Sequence, residues 1–279
     1  MKTIAVWFSC GAASAVAAMK TVEKYGGRYD VRVLNNFVLE EDEDNRRFLG
    51  DVEHWLGFKI EDVSNPKYRS CSAVGVWDQR NFMSGREGAP CTLELKKRAR
   101  QLWEKENHAD HHVLGFTLDE KKRHENFIKT ERPLLPVLID EGITKADCYR
   151  IIQEAGIKLP RAYEMGYPNA NCIGCVKATS PTYWNHVRKH HPDIFYQRAM
   201  QSQRIGAKLT RCHPRYLDWC YQDEKGVWHD KTGRNELYTK DGKLISPRIS
   251  LAELPQDAKG RPLKSMDFEC GVFCEEVKL

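Results

Sequence analysis

The sequence has 279 residues, of which 41% are hydrophobic and 30% are charged, and its formal net charge is +5. This composition is typical of a globular protein that buries an apolar core, and it excludes a chain that is disordered throughout. No run of about eighteen apolar residues occurs and the N-terminus lacks a signal-peptide pattern, so we expect a cytoplasmic protein without a membrane span.

The first part of the sequence alternates between short apolar segments and segments in which apolar residues have helical spacing. Strands are predicted over residues 3–8, 29–38 and 60–63, and helices over 14–25 and through 48–56 to Gly57. This alternation predicts an α/β fold with a doubly wound, mostly parallel sheet and helices on both faces. Ligands of such folds bind at the carboxyl ends of the strands.

The later part of the sequence has a more mixed pattern. Residues 66–90 are predicted to be irregular, and the next predicted elements are a strand over 112–116 and helices over 92–105, 145–155 and 183–190. Between residues 221 and 264, turn signals separate short strands, which predicts a β-hairpin appendage or lid. We therefore expect a core domain over 1–200 and a C-terminal appendage and tail over 201–279.

A loop of small residues, 9–14, connects the first predicted strand to the first predicted helix. Its small residues Gly11, Ala12 and Ala13 would let backbone N–H groups approach an anion at the positive end of the helix, and Ser9 and Ser14 add hydroxyl donors. A plain tight turn has the same composition, and the position directly after the first strand favours the phosphate site.

Residues 8–15, Phe-Ser-Cys-Gly-Ala-Ala-Ser-Ala, resemble the PP-loop, Ser-Gly-Gly-x-Asp-Ser, of the ATP pyrophosphatases and the phosphoadenylyl-sulfate (PAPS) reductases. Cys10 stands where the motif has a glycine, and Ala13 stands where it has an aspartate. The carboxylate of the motif therefore has no counterpart within this loop.

Further segments are similar to the same reductase family and follow in the same order. They are Pro90-Cys91-Thr92 with Leu95-Lys96, Gly115-Phe116 with Glu120 and Arg123, the stretch 136–175 that ends in Cys172-Ile173-Gly174-Cys175, and Glu269-Cys270-Gly271-Val272-Phe273. The resemblance implies a Rossmann-like adenine nucleotide alpha hydrolase fold, with Cys270 as the catalytic nucleophile. The implied nucleotide-binding residues are Ser9, Cys10, Gly11, Ala12, Ala13, Ser14, Lys96, Gly115, Glu120 and Arg123.

Ten cysteines are present, and in a reducing compartment they indicate metal binding or thiol chemistry rather than disulfides. Cys172 and Cys175 have a spacing that suits one metal ion or cluster. The resemblance to iron–sulfur reductases adds Cys91, and we predict Cys274 as the fourth ligand, with Cys71 and Cys270 as alternatives. A 4Fe-4S cluster is the predicted cofactor; zinc, a redox dithiol and structural cysteines stay open.

Basic residues are bunched at 96–98, 121–123 and 188–191, which suits an anionic partner, either a nucleotide or a nucleic acid. Solvated helix faces would give the same pattern. Charge alone therefore does not choose the partner.

Three functions are compatible with these features. The first is reduction of an adenylylated sulfate, in which Cys270 attacks the sulfur and a thioredoxin- or glutaredoxin-like thiol regenerates it. The second is ATP-dependent sulfur transfer to a nucleobase or nucleic acid, for which Mg²⁺ would need a carboxylate from Glu40, Glu41 or Asp44. The third is a nucleotide-binding regulator without catalysis.

Overall fold

The computed structural model describes residues 1–85, 88–129 and 134–266. They form two compact units, one comprising Met1–Val76 with Pro90–Cys172 and the other comprising Trp77–Ala89 with the described residues from Ile173 onward. The domain boundary predicted at residue 200 falls inside the second unit.

A sheet of four parallel strands is the centre of the first unit. Its strands are β1 (Thr3–Phe8), β2 (Asp30–Asn35), β3 (Glu61–Asp62) and β4 (His111–Val113), in the order β3-β2-β1-β4. The last residues of β1 and β2, Phe8 and Asn35, are register partners. The loops that follow these strands therefore begin at one edge of the sheet, and the prediction of an α/β fold with a parallel sheet is confirmed.

Each predicted α-helix is present in the predicted order, and the structure adds further helices that were not predicted. Their bounds are α1 (Ala12–Tyr25), α2 (Asp44–Leu56), α3 (Ala73–Arg80), α4 (Arg98–Glu106), α5 (Lys121–Phe127), α6 (Val137–Asp140), α7 (Lys145–Glu154), α8 (Arg161–Glu164), α9 (Pro181–His190) and α10 (Pro192–Ile205). A π-helix over Thr92–Lys97 leads into α4. In the described residues, no helix combines the length and apolar character needed to cross a membrane.

Both faces of β1 are buried, because successive side chains of a strand point to opposite faces. Ile4 and Val6 belong to a cluster that includes the alanines of α1, whereas Ala5 and Trp7 pack in a second cluster with Ala99 of α4. Burial on both faces explains why β1 reads as a continuous apolar run in the sequence.

One local prediction was wrong, because residues 66–90 are not irregular throughout and contain α3. A carboxylate far away in the sequence caps this helix: Glu40 accepts hydrogen bonds from the backbone N–H groups of Ala73 and Val74 at 2.7 and 3.2 Å. This cap comes from the loop region after β2. Ser72, directly before α3, adds a local N-cap, since its Oγ accepts from the backbone N–H of Gly75 at 3.1 Å.

The second unit contains α9, α10 and two small antiparallel sheets. β5 (Thr210–Arg211) pairs with β8 (Arg248–Ile249), and β6 (Cys220–Gln222) pairs with β7 (Trp228–Asp230). The β6–β7 pair is a hairpin within the part of the sequence where one was predicted.

Candidate functional site

The loop after β1 has a strained position at Cys10, whose φ of 55° lies in the left-handed region. Residues with a side chain are uncommon there, and glycine adopts it readily. This conformation gives a physical reason for the glycine that the PP-loop has at this position. Cys10 keeps the loop geometry while placing its side chain in the interior, where it is fully buried.

The Cys10 thiol contacts polar side chains in the interior. Its Sγ accepts from Asn35 Nδ2 and Arg46 Nη2, each at 3.6 Å. Burial raises the pKa of Cys10 to about 12, so the thiol is neutral at physiological pH. Cys10 is therefore a buried structural residue of this loop, and its neutral thiol is not a nucleophile.

The two serines of the loop fix its shape. Ser14 Oγ donates to the carbonyl of Gly11 at 2.8 Å and accepts from the backbone N–H of Ser9 at 3.2 Å. Helix α1 begins at Ala12, two residues earlier than predicted, because Gly11 has an extended conformation and occupies the N-cap position. The N–H groups of the first turn, at Ala12, Ala13 and Ser14, thus have no acceptor inside the helix.

Two contacts bring later parts of the chain against this loop. The hydroxyl of Tyr163 accepts from the N–H of Ala12 at 3.2 Å. At Gly115, which follows β4, a Cβ atom would lie 2.7 Å from the backbone nitrogen of Ser14. Only glycine allows this close approach, which explains the residue type at a position that the sequence predicted as part of the site.

A pocket opens beside this loop at the carboxyl edge of the sheet. Seven predicted nucleotide-binding residues line it: Ser9, Gly11, Ala13, Ser14, Lys96, Gly115 and Glu120. Cys10 and Ala12 are buried and lie outside that lining. Arg123 contacts the wall instead, since it donates to Glu120 at 2.8 Å and lies over the ring of Phe116.

Lys96 reaches the pocket from the π-helix and is paired with a buried carboxylate. Its Nζ lies 3.4 Å from Oε1 of Glu41, and Oε2 of the same carboxylate accepts from Asn45 Nδ2 at 3.3 Å. Burial raises the pKa of Glu41, and the charges of Lys96 and Arg46 and the bond from Asn45 oppose that rise. Glu41 is therefore a buried partner of Lys96 that lies outside the pocket lining.

The other carboxylates proposed as Mg²⁺ ligands also have structural partners. Glu40 caps α3, and Asp44 binds Arg47 at 2.7 Å and accepts from the backbone N–H of Arg161 at 2.8 Å. The hydrogen bond from Arg47 is the main cause that lowers the pKa of Asp44 to about 2. Among the described residues, Glu120 supplies the one carboxylate in the pocket lining.

Several lining residues were not predicted as site residues. They are Trp7, Phe8, Asn36, Leu114, Phe116, Lys145, Tyr163, Asn169, Ala170 and Asn171. Most of them come from loops far apart in the sequence. Phe116 and the residues from 145 to 171 lie in segments that resemble the reductase family, whereas Asn36 fell inside the predicted strand 29–38 and directly follows β2 in the structure.

Asn36 is a buried amide whose nitrogen is hydrogen-bonded and whose oxygen, within the described residues, is not. The residue is 5% exposed, and its Nδ2 donates to the carbonyl of Val63 at 2.7 Å. In the part of the chain that the structure describes, Oδ1 has no hydrogen-bond partner. Because such an atom costs about 1–3 kcal/mol when it stays unsatisfied, Asn36 provides an acceptor for a ligand that carries a donor.

The predicted metal ligands are only partly described. Cys91 immediately precedes the π-helix and Cys172 ends the first unit, and both are half-buried. Cys175 in the second unit is buried, and its backbone N–H donates to the Tyr183 hydroxyl at 2.8 Å. Cys274 and the predicted nucleophile Cys270 lie outside the described residues. Within those residues, no group of three or more His, Cys, Asp or Glu side chains is placed to hold a metal ion.

The sequence matches no protein-family model and no curated protein. The resemblance to the PAPS reductases therefore stays an interpretation of the motifs.

Proposed function

We propose that the chain is an adenine-nucleotide enzyme of sulfur chemistry, related to the PAPS reductases and built on a doubly wound, Rossmann-like sheet. The observation that carries this proposal is the convergence of three features on one pocket: the first turn of α1, the cation of Lys96 and the buried acceptor of Asn36. Nucleotides offer the matching chemistry, an anionic phosphate joined to a nucleoside that carries hydrogen-bond donors.

The loop binds the phosphate in this proposal. The N–H groups of Ala13 and Ser14 belong to the first turn of α1, where the helix dipole also favours an anion. Lys96 adds a positive charge from the π-helix. Asn36 accepts from the nucleoside, whose amino or hydroxyl groups satisfy its Oδ1.

The chemical step is a displacement at sulfur. The thiolate of Cys270 attacks the sulfur of an adenylylated sulfate, an S–S bond forms, and the bond between sulfur and the phosphate oxygen breaks, with the electron pair leaving on the nucleotide phosphate. An external dithiol reductant then attacks the sulfur of Cys270, which releases sulfite and leaves a mixed disulfide. The second thiol of the reductant resolves it and restores Cys270.

Donors at the loop favour this step because negative charge builds on the departing phosphate. The predicted iron–sulfur cluster would be held by Cys91, Cys172, Cys175 and Cys274, and it would tune the electrostatic field near the reacting sulfur. Each step of the displacement involves only thiols and the nucleotide, so none of them requires the cluster.

Binding and turnover together test the proposal. We expect calorimetric titration of the full chain with AMP to give saturable binding, and GMP to bind at least about tenfold more weakly. With adenylyl sulfate or PAPS and a dithiol reductant, we expect sulfite release. Pyrophosphate release from ATP without sulfite production would instead support the sulfurtransferase, and the absence of nucleotide binding would overturn the proposal.

A matched pair of cysteine variants isolates the nucleophile. Cys270→Ser should abolish sulfite release and leave AMP binding unchanged, because the serine hydroxyl is not ionised at neutral pH. Cys220→Ser is the control, since Cys220 is 8% exposed in strand β6 and has no role in the proposed step. Undiminished turnover by Cys270→Ser would refute the assignment.

A further inference from the structure

Two lysines line the nucleotide pocket, and their charges are balanced differently. Lys96 is paired with Glu41 at 3.4 Å. The Nζ atom of Lys145 instead donates to two neutral acceptors, the carbonyl of Pro168 at 2.8 Å and Oδ1 of Asn169 at 3.1 Å. Over the described residues, no carboxylate lies within ion-pair distance of Lys145 Nζ, so its charge is not neutralised locally.

Two carboxylates at the start of α7, Asp119 and Asp147, have other partners. Asp119 accepts from the backbone N–H of Lys145 at 2.8 Å, which uses the carboxylate as a cap for α7. Asp147 forms the capping box with Thr144 and binds Arg150. Neither carboxylate is bonded to the ammonium group.

The place of Lys145 in its helix adds to this imbalance. It is the first residue of α7, a helix of ten residues, and a cation at a helix N-terminus faces the positive end of the helix dipole. An anion beside Lys145 would neutralise the ammonium charge and would also interact favourably with the positive end of the helix dipole. An ammonium group has three N–H donors, of which the bonds to Pro168 and Asn169 use two, so one remains for a ligand.

We propose that Lys145 binds a second oxyanion of the nucleotide, separate from the phosphate held at the first turn of α1. This inference rests on the proposed function, because it assumes a nucleotide in the pocket. The second oxyanion is a tetrahedral sulfate or phosphate, carried on the 5′-phosphate or on the ribose. Lys145 thus selects nucleotides with two anionic groups over AMP.

Titrations of the full chain with a series of ligands test this assignment. AMP carries one anionic group, ADP and adenylyl sulfate carry a second on the 5′-phosphate, and adenosine 3′,5′-bisphosphate carries it on the ribose. Lys145→Met removes the charge and keeps the length, whereas Lys145→Arg keeps the charge. Lys158→Met is the matched control, because Lys158 is a 68% exposed lysine of the same unit, paired with Glu164 at 3.3 Å and absent from the pocket lining.

We expect Lys145→Met to weaken binding of at least one two-anion ligand by about tenfold to a hundredfold, the effect of one charge-assisted hydrogen bond. AMP binding should change less than about threefold, Lys145→Arg should restore most of the affinity, and Lys158→Met should match the parent. The ligand that responds identifies the position of the second oxyanion. Thermal unfolding of each variant confirms that the chain is folded.

Two results would overturn the inference while the proposed function stands. In one, Lys145→Met binds every ligand as the parent does. In the other, it loses AMP and two-anion ligands equally, which would mean that Lys145 contacts the shared phosphate. If the parent chain binds none of these ligands, the proposed function and the inference both fail.

Discussion

At the scale of single residues, the site depends on side chains that are absent as much as on those present. Gly115 lets the loop after β4 approach the loop of residues 9–14, because a Cβ there would lie 2.7 Å from the nitrogen of Ser14. The neighbouring backbone belongs to the first turn of α1 and has little freedom to shift. The shape of the candidate phosphate site is therefore controlled by a residue that is not expected to form a hydrogen bond to the ligand through a side chain.

Gly115→Ala tests that dependence. We expect the added methyl group to destabilise the fold by about 1–3 kcal/mol, the usual cost of overpacking, and to weaken AMP binding by displacing Ser14. Denaturant unfolding and calorimetric titration measure the two effects. Gly50→Ala is the control: a Cβ at Gly50 in α2 would contact nothing within 4 Å, so this variant should gain about 0.5–1 kcal/mol.

Cys10 gives a second prediction at this scale. Since burial raises the pKa of its thiol to about 12, Cys10 should resist alkylation by iodoacetamide at pH 8 in the native protein and react after denaturation. Cys148, whose pKa burial also raises to about 12, should behave alike. Peptide mass spectrometry follows both sites, and rapid native labelling of Cys10 would show that it is not held in the buried position.

At the scale of secondary-structure elements, both distant and neighbouring residues cap the starts of helices. Glu40 lies in the loop region after β2 and accepts from Ser72 Oγ at 2.6 Å as well as from the first N–H groups of α3. Helix α7, in contrast, carries its own capping box in Thr144 and Asp147. The sequence pattern predicted α7 correctly from its local start signal. It missed α3 although Ser72 is a local N-cap whose Oγ accepts from the N–H of Gly75 at 3.1 Å; the acceptors that Glu40 adds come from a segment far away in the sequence.

Removal of the remote cap has a defined cost. Glu40→Ala should lower the free energy of unfolding by about 0.5–2 kcal/mol, because N–H groups at the start of α3 lose their acceptor. Glu43→Ala is the comparison, since the Glu43 side chain is 85% exposed and should change stability by less than about 0.5 kcal/mol. Equal stability of the two variants would show that the Glu40 cap contributes nothing.

At the scale of the whole molecule, the parallel sheet brings the ends of its strands to one edge, and that edge holds the pocket. Ser9 follows β1, Asn36 follows β2 and Gly115 follows β4 at a distance of two residues. Segments that are far apart in the sequence therefore contribute to one site.

The iron and sulfide content of cysteine variants distinguishes a cluster ligand from the catalytic nucleophile. If the chain holds a 4Fe-4S cluster, protein purified without oxygen should contain about four irons and four sulfides per chain. Cys172→Ala should lose both together with the visible absorption, and Cys270→Ser should keep them. Loss of absorption in Cys270→Ser would make Cys270 a ligand rather than the nucleophile, and zinc or no metal in the parent would overturn the cluster.

The sequence by itself determined the α/β class and the parallel strands, and it predicted a phosphate loop at residues 9–14, because these inferences follow from the local periodicity of apolar residues and from small residues after a strand. It also indicated Gly115, Lys96 and Glu120 through motif similarity. Only the tertiary structure decided that Asn36, Lys145 and the segment 169–171 share a pocket, and that Glu41 pairs with Lys96. These relations join residues distant in the chain, and burial and charge pairing between them exist only after the sheet has formed.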